Sequence, residues 1–119
     1  MKSSDENIIL VKSKAFALRI VKLFKFLCEE KKEYVLSKQI LRSGTSIGAN
    51  VKEASLAQSK ADFAAKLSIA LKEAGKSEYW LELLHESDYI DDGAFNSIYA
   101  DCQEIIKIIT SILITVRNK

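Results

Sequence analysis

The chain has 119 residues, no proline, four glycines and a hydrophobic content of 48%. This length suffices for one domain with a core, and so few turn-forming residues favour long helices over a β-sandwich. The formal net charge is only +2, but residues 1–60 carry +6 and residues 61–119 carry −4. Such asymmetry is typical of a protein with an anionic partner, or of an assembly with complementary faces.

The sequence also argues against a secreted protein, a membrane-spanning protein and a cysteine-based metal site. Residues 1–14 lack the apolar segment and cleavage site of a signal peptide, and the most apolar run, 105–116, is interrupted by Lys107 and too short to span a bilayer. We therefore expect a cytoplasmic protein with no membrane partner. Cys28 and Cys102 fall on apolar helix faces without metal-ligand spacing, which predicts buried free thiols.

The first predicted helix begins at Ser3, which with Glu6 has the spacing of a capping box, and it ends near Lys32. Its core positions recur at helical spacing. They are Ile9, Phe16, Ala17, Ile20, Leu23, Phe24 and Leu27.

The opposite side of this helix is basic. No acidic residue occurs between Asn7 and Cys28, and five cations fall within an arc of roughly 160°. These cations are Lys12, Lys14, Arg19, Lys22 and Lys25, and the apolar residues among them are Val11, Ala15, Leu18 and Phe26. Such a face can contact a nucleic-acid backbone, form a subunit contact rimmed by lysines, or simply be solvated. The sequence leaves these three alternatives open.

The second predicted helix has Ser37 as its N-cap and carries two glycines on its apolar face. Gly44 and Gly48 each cost up to about 1 kcal/mol relative to alanine, so we expect another helix to approach the backbone closely there. The other face bears a polar ladder, formed by Arg42, Ser46, Asn50 and Glu53. This ladder is either a solvated face with i,i+4 pairing or a polar seam against another subunit or a ligand.

Ser59 is the predicted N-cap of a third helix that continues through Gly75, and Asp91 or Asp92 is predicted to cap the fourth. The fourth helix has an apolar arc of more than half its circumference. Its core row is Ile98, Cys102, Ile105, Ile109, Ile112 and Val116. A peripheral helix of a monomeric bundle buries a narrower stripe, so we predict burial both inside the bundle and against another subunit.

These patterns predict four helices, over roughly 5–32, 38–58, 60–86 and 92–117. We expect them to form an all-α, up-down-up-down four-helix bundle in one domain, 1–119, and this bundle to assemble as a homo-oligomer.

Catalytic and metal sites are largely excluded. Glu82 and His85 have the Glu-x-x-His spacing of di-iron bundles, but such sites need the motif twice and this chain has one histidine. No serine has a partner histidine within plausible reach, and no phosphate-binding or dinucleotide motif occurs. Tyr79 and Trp80 could stack on bases, although aromatic residues of a small bundle are usually core or interface groups. We expect no enzyme, no cofactor and no metal.

Four segments resemble the small bacterial four-helix proteins encoded in intervening sequences of large-subunit ribosomal RNA genes. The segments are RSGTSIGANVKEA (42–54), SKADF (59–63), KLSIALKEA (66–74) and EYWLELL (78–84). The accessory variability proteins of diversity-generating retroelements look like members of the same superfamily. The resemblance implies a pentameric ring with a basic surface, and a partnership with RNA and a reverse transcriptase.

We therefore expect a non-catalytic homo-oligomer that binds RNA or DNA through the basic face of its first helix. The alternative is a structural or protein-interaction module whose ring presents surfaces to a protein partner, such as a reverse transcriptase, without contacting nucleic acid. In that case the two charged halves would serve subunit complementarity.

Overall fold

The structure, a computed structural model, describes residues 4–118. Within this range the chain forms four α-helices and no strand: α1 (Ser4–Glu29), α2 (Leu36–Ser55), α3 (Lys60–Glu86) and α4 (Asp92–Arg117). The predicted capping residue Ser3 lies outside the described residues. Helix α1 ends before Lys32, whose positive φ of 54° belongs to the loop that turns the chain toward α2.

Each helix packs antiparallel against its neighbours in the chain, and α4 returns to contact α1. On α1, for example, Ser13 lies opposite Gly48 while the later residue Ile20 lies opposite the earlier residue Gly44. The result is an elongated bundle of 47 × 21 × 18 Å in which α1 and α3 are diagonal to each other. The predicted all-α, up-down-up-down architecture is confirmed.

The core follows the predicted apolar rows. In α1, Ile9, Phe16, Ile20 and Leu27 are buried, whereas the rest of the predicted stripe is half-buried. In α4, every residue of the predicted row is buried except Val116, which is half-buried. The periodicity therefore identifies the direction of the core correctly, and the misassigned positions lie at the edges of each buried arc.

The two glycines of α2 lie where α1 comes closest. A Cβ atom added at Gly44 would lie 2.7 Å from Cγ1 of Ile20, and one added at Gly48 would lie 3.3 Å from the carbonyl oxygen of Ser13. The predicted close approach is confirmed, and α1 is the approaching helix. Gly75 has no heavy atom within 4 Å of an added Cβ, and α3 continues through it as predicted.

Two of the predicted helix caps are confirmed. The hydroxyl oxygen of Ser59 accepts a hydrogen bond from the backbone N–H of Asp62 at 3.0 Å. The carboxylate of Asp91 accepts one from the N–H of Ala94 at 2.8 Å. Each side chain satisfies one of the N–H groups that have no partner within the helix.

The predicted cap of α2 is wrong. Ser37 lies inside the first turn and is fully buried, where its hydroxyl oxygen accepts a weak hydrogen bond from Sγ of Cys28 at 3.7 Å. The carboxylate of Glu33 caps the helix instead, since it accepts from the N–H groups of Val35 at 3.2 Å and Ser37 at 2.7 Å. A glutamate side chain in the preceding loop is long enough to extend forward to these amides, and its negative charge suits a helix N-terminus.

Both cysteines are free thiols, but they differ in burial. Cys102 is fully buried and donates to the carbonyl oxygen of Ala74 at 3.4 Å, as the prediction requires. Burial raises the pKa of its thiol to about 12, and the nearby carboxylates of Glu78 and Asp101 add to this. Cys28 is only half-buried, because it lies at the edge of the α1–α2 contact.

Candidate nucleic-acid interface

The five predicted cations of α1 divide into two groups. Lys12 and Arg19 lie on the side of α1 that faces α4. The Nζ atom of Lys12 is 3.0 Å from a carboxylate oxygen of Glu104, and Nη1 of Arg19 is 2.5 Å from one of Asp101. Arg19 also donates to the hydroxyl of Ser97 at 3.0 Å. The charges of these two cations are therefore offset by carboxylates of α4 in partly exposed ion pairs, and both cations help to hold α1 against α4.

The other three cations, Lys14, Lys22 and Lys25, are exposed on the outward face of α1. None of them forms an ion pair with another residue between 4 and 118. Two apolar residues, Val11 and Leu18, lie on the same face and are 70% and 59% exposed. This face is therefore positively charged and partly apolar, as predicted, but with three uncompensated cations instead of five.

A groove joins this face to α2. It encloses about 570 Å³ between Lys14 of α1 and Lys52 of α2, and Val11, Ala17 and Ala49 are among the mostly apolar residues that line it. From the sequence we did not predict that α2 would line a groove beside the basic face of α1. The sequence does indicate a basic face on α2, because Lys52 and the exposed residue Lys38 are two heptads apart and therefore lie on the same side of this helix.

The polar ladder of α2 is bonded within its own chain. The hydroxyl of Ser46 donates to the carbonyl oxygen of Arg42 at 2.6 Å, and the amide of Asn50 donates to that of Ser46 at 2.9 Å. Glu53 pairs with Lys66 of α3 at 3.2 Å. Arg42 itself is exposed. Ser46, Asn50 and Glu53 therefore have partners within the chain, and a role of the ladder as a polar seam against another subunit or a ligand stays a prediction.

The side of the bundle formed by α3 and α4 carries carboxylates. Tyr99 donates to Glu82 at 2.5 Å, and this hydrogen bond raises the pKa of the phenol. Burial and the neighbouring charge of Glu82 raise the pKa of Glu78, although a hydrogen bond with Gln103 opposes the shift. These contacts fasten α4 to α3.

The single histidine lies at the end of the same side. Its Nε2 atom is 2.7 Å from Oδ1 of Asp92, and its ring stacks on Phe95 with centroids 4.1 Å apart. His85 thus links the last turn of α3 to the first turn of α4. Between residues 4 and 118, no three His, Cys, Asp or Glu side chains converge as a metal site would require. None of the helices described is long and apolar enough to cross a bilayer.

Together the fold and its charges define an all-α four-helix bundle with a basic face on α1 and α2. The sequence model of the 23S rRNA-intervening sequence protein family matches residues 5–111, and the chain belongs to this family. The resemblance drawn from the α2 and α3 segments is thereby confirmed.

A solved structure is closely similar to this chain. It is the crystal structure of a protein of unknown function from the S23 ribosomal protein family of Bacteroides thetaiotaomicron, with 58% sequence identity and a TM-score of 0.91. The match covers 92% of this chain and 97% of that one. A search of curated proteins gave no match.

Proposed function

We propose that this chain is a non-catalytic cytoplasmic bundle that assembles with copies of itself and binds the backbone of RNA or DNA through the outward face of α1. The observation that carries the proposal is the set of three exposed lysines, Lys14, Lys22 and Lys25, which form no ion pair within residues 4–118. No carboxylate on α1 between residues 7 and 28 competes for them. Lysines in such a setting gain binding free energy by releasing the counterions of the phosphates they neutralise.

Self-association is supported by the apolar surface of α4. Ile114 is 52% exposed, and with the half-buried Ile106 it borders an open groove on the outer side of α4. Burying this groove against another subunit would give the second buried side that the wide apolar arc predicts. The family resemblance implies a pentamer. A ring would repeat the basic face once per subunit, so that several weak contacts with one nucleic acid would combine into a strong one.

The test of nucleic-acid binding compares two triple variants that change the net charge equally. The α1 variant is Lys14→Glu, Lys22→Glu and Lys25→Glu. The control is Lys60→Glu, Lys72→Glu and Lys76→Glu on α3, whose wild-type side chains are exposed and lie outside the groove on α4; of the three only Lys76 forms an ion pair within the described range, with Glu73 at 3.2 Å. Circular dichroism checks that both variants remain helical.

We expect the α1 variant to lose affinity for RNA by about tenfold or more relative to the control, with a shallower salt dependence, since up to three phosphate contacts are removed. Equal losses in both variants would show that only net charge matters. An unchanged affinity of the α1 variant would remove the proposed site.

Self-association is tested separately by light scattering of the wild type and of Ile114→Glu. We expect the wild type to have a mass that is a multiple of the 13.3 kDa chain. The variant should dissociate, because a charge placed in an apolar interface is not compensated. A monomeric wild type at micromolar concentration would contradict the assembly.

A further inference from the structure

We propose that the nucleic-acid site is a two-helix surface, in which the groove between α1 and α2 holds a single-stranded segment with its phosphates on lysines of both helices. This inference rests on the proposed function and adds α2 to the site.

The antiparallel packing of α1 and α2 places lysines of both helices along the line where the two helices meet, at the groove and beyond it. Lys14 and Lys52 line its two sides. Beyond the groove, toward the loop between α1 and α2, Cys28 contacts Ser37. Lys25 is one turn of helix from this contact, and Lys38 is the residue after Ser37, so a second pair lies near it. The two pairs are about 16 to 21 Å apart along the helix axes, a distance that spans several nucleotides.

No carboxylate neutralises these four lysines. All four are exposed, and none forms an ion pair with another residue of the described range. Glu53 is the one acidic residue of α2, and it is bound to Lys66 on the side of α3. The α1–α2 face is therefore a continuous basic surface, whereas Lys12 and Arg19, which are paired with α4, lie outside it.

The floor of the groove indicates which nucleic acid fits. It is mostly apolar, and Gly48, which contributes no side chain, keeps it open beside the exposed residue Ala49. A duplex presents phosphates and hides its bases, so it would bind the lysines and leave the apolar floor of the groove exposed to solvent. A single strand also presents the faces of its bases, which are apolar enough to pack there. Charged sides with an apolar floor therefore favour a single strand.

The experiment measures fluorescence anisotropy with an unstructured, uridine-rich RNA of about 20 nucleotides and a duplex RNA of the same length. The first variant, Lys38→Glu with Lys52→Glu, removes the α2 contribution. Its matched control is Lys60→Glu with Lys72→Glu, which gives the same charge change on α3. The second variant, Ala49→Leu, fills the groove without changing the charge and leaves the core untouched, because Ala49 is exposed.

We expect the wild type to prefer the single strand. The α2 variant should bind it about tenfold more weakly than the control, with a log–log salt slope smaller by about 1.4, which corresponds to two phosphate contacts on a single strand. Ala49→Leu should weaken single-strand binding several-fold and leave the salt slope unchanged, because it removes a contact that is not ionic.

The outcomes separate this inference from the proposed function. If the wild type binds neither RNA, the two-helix site is wrong, and if it does not bind duplex DNA either, the proposed function fails as well. If it binds, and the α1 triple variant loses binding while both groove variants behave like the control, the proposed function stands and the two-helix site is wrong. A wild type that prefers the duplex would overturn the single-strand occupant. A change of mass of Ala49→Leu in light scattering would show that a second copy of the chain covers the groove instead.

Discussion

Replacing Gly44 with alanine tests the closest contact in the bundle. The added Cβ would lie 2.7 and 2.9 Å from Cγ1 and Cγ2 of Ile20, which is fully buried and cannot move toward solvent. Overpacking of this kind costs about 1–3 kcal/mol, whereas the better helix propensity of alanine returns up to about 1 kcal/mol. We therefore expect Gly44→Ala to lower the free energy of unfolding by about 1 kcal/mol.

Gly75→Ala is the matched control, since an added Cβ there meets no atom within 4 Å. It should raise the free energy of unfolding by about 0.5–1 kcal/mol through helix propensity alone. The propensity gain is common to both variants, so the difference between them isolates the cost of pressing Cβ against Ile20. The assay is urea unfolding followed by circular dichroism at one fixed subunit concentration, because association would shift the midpoint.

A second-site variant removes the predicted obstacle. In an Ile20→Ala background both γ carbons are absent, so Gly44→Ala should become neutral or stabilising relative to Ile20→Ala alone. If Gly44→Ala stabilised the wild type as much as Gly75→Ala does, α1 would not pack on α2 as closely as the structure indicates, and the reasoning would be refuted.

Three further predictions concern polar contacts. Glu33→Ala should cost about 1 kcal/mol in urea unfolding because it removes the cap of α2, whereas Glu33→Gln, which keeps an acceptor, should cost less; equal losses would argue against capping. A double-mutant cycle on Arg19 and Asp101 should give a coupling of about 0.5 kcal/mol that decreases with salt, since both side chains are partly exposed; a coupling insensitive to salt would contradict an ion pair. Because the pKa of Glu78 is raised in the fold, its ionisation destabilises the folded state: the stability present below its ordinary pKa of 4.5 is lost as pH rises through the folded value. Glu78→Gln should therefore raise the melting temperature at pH 7, and this increase should shrink as the pH falls through the folded pKa and disappear below about pH 4.5; an increase that is the same at every pH would contradict it.

The fold could be predicted because its determinants are local. The apolar rows, the caps at Ser59 and Asp91, and the small residues at Gly44 and Gly48 are all visible as spacings within one helix. The cap of α2 was missed because Glu33 is not a usual capping residue and acts from the loop.

The site was only partly predictable because it depends on contacts between helices. A helical wheel places Lys12 and Arg19 on the same basic arc as Lys14, and nothing within α1 reveals that α4 brings carboxylates to two of these cations. The wheel likewise treats α2 separately, so it does not show that Lys52 faces Lys14 across a groove. Both facts follow from how the helices are arranged around the core.

We propose that the exposed lysines of α1 bind a nucleic-acid backbone. The most direct test is the affinity of the purified wild-type protein for structured RNA and for duplex DNA at about 50 mM and 200 mM salt. We expect micromolar or tighter binding at low salt that weakens steeply, by about 0.9 in log–log slope for each phosphate neutralised on the duplex. Absence of binding to either nucleic acid at low salt would contradict it, and the basic face would then be a solvated surface of a protein-interaction module.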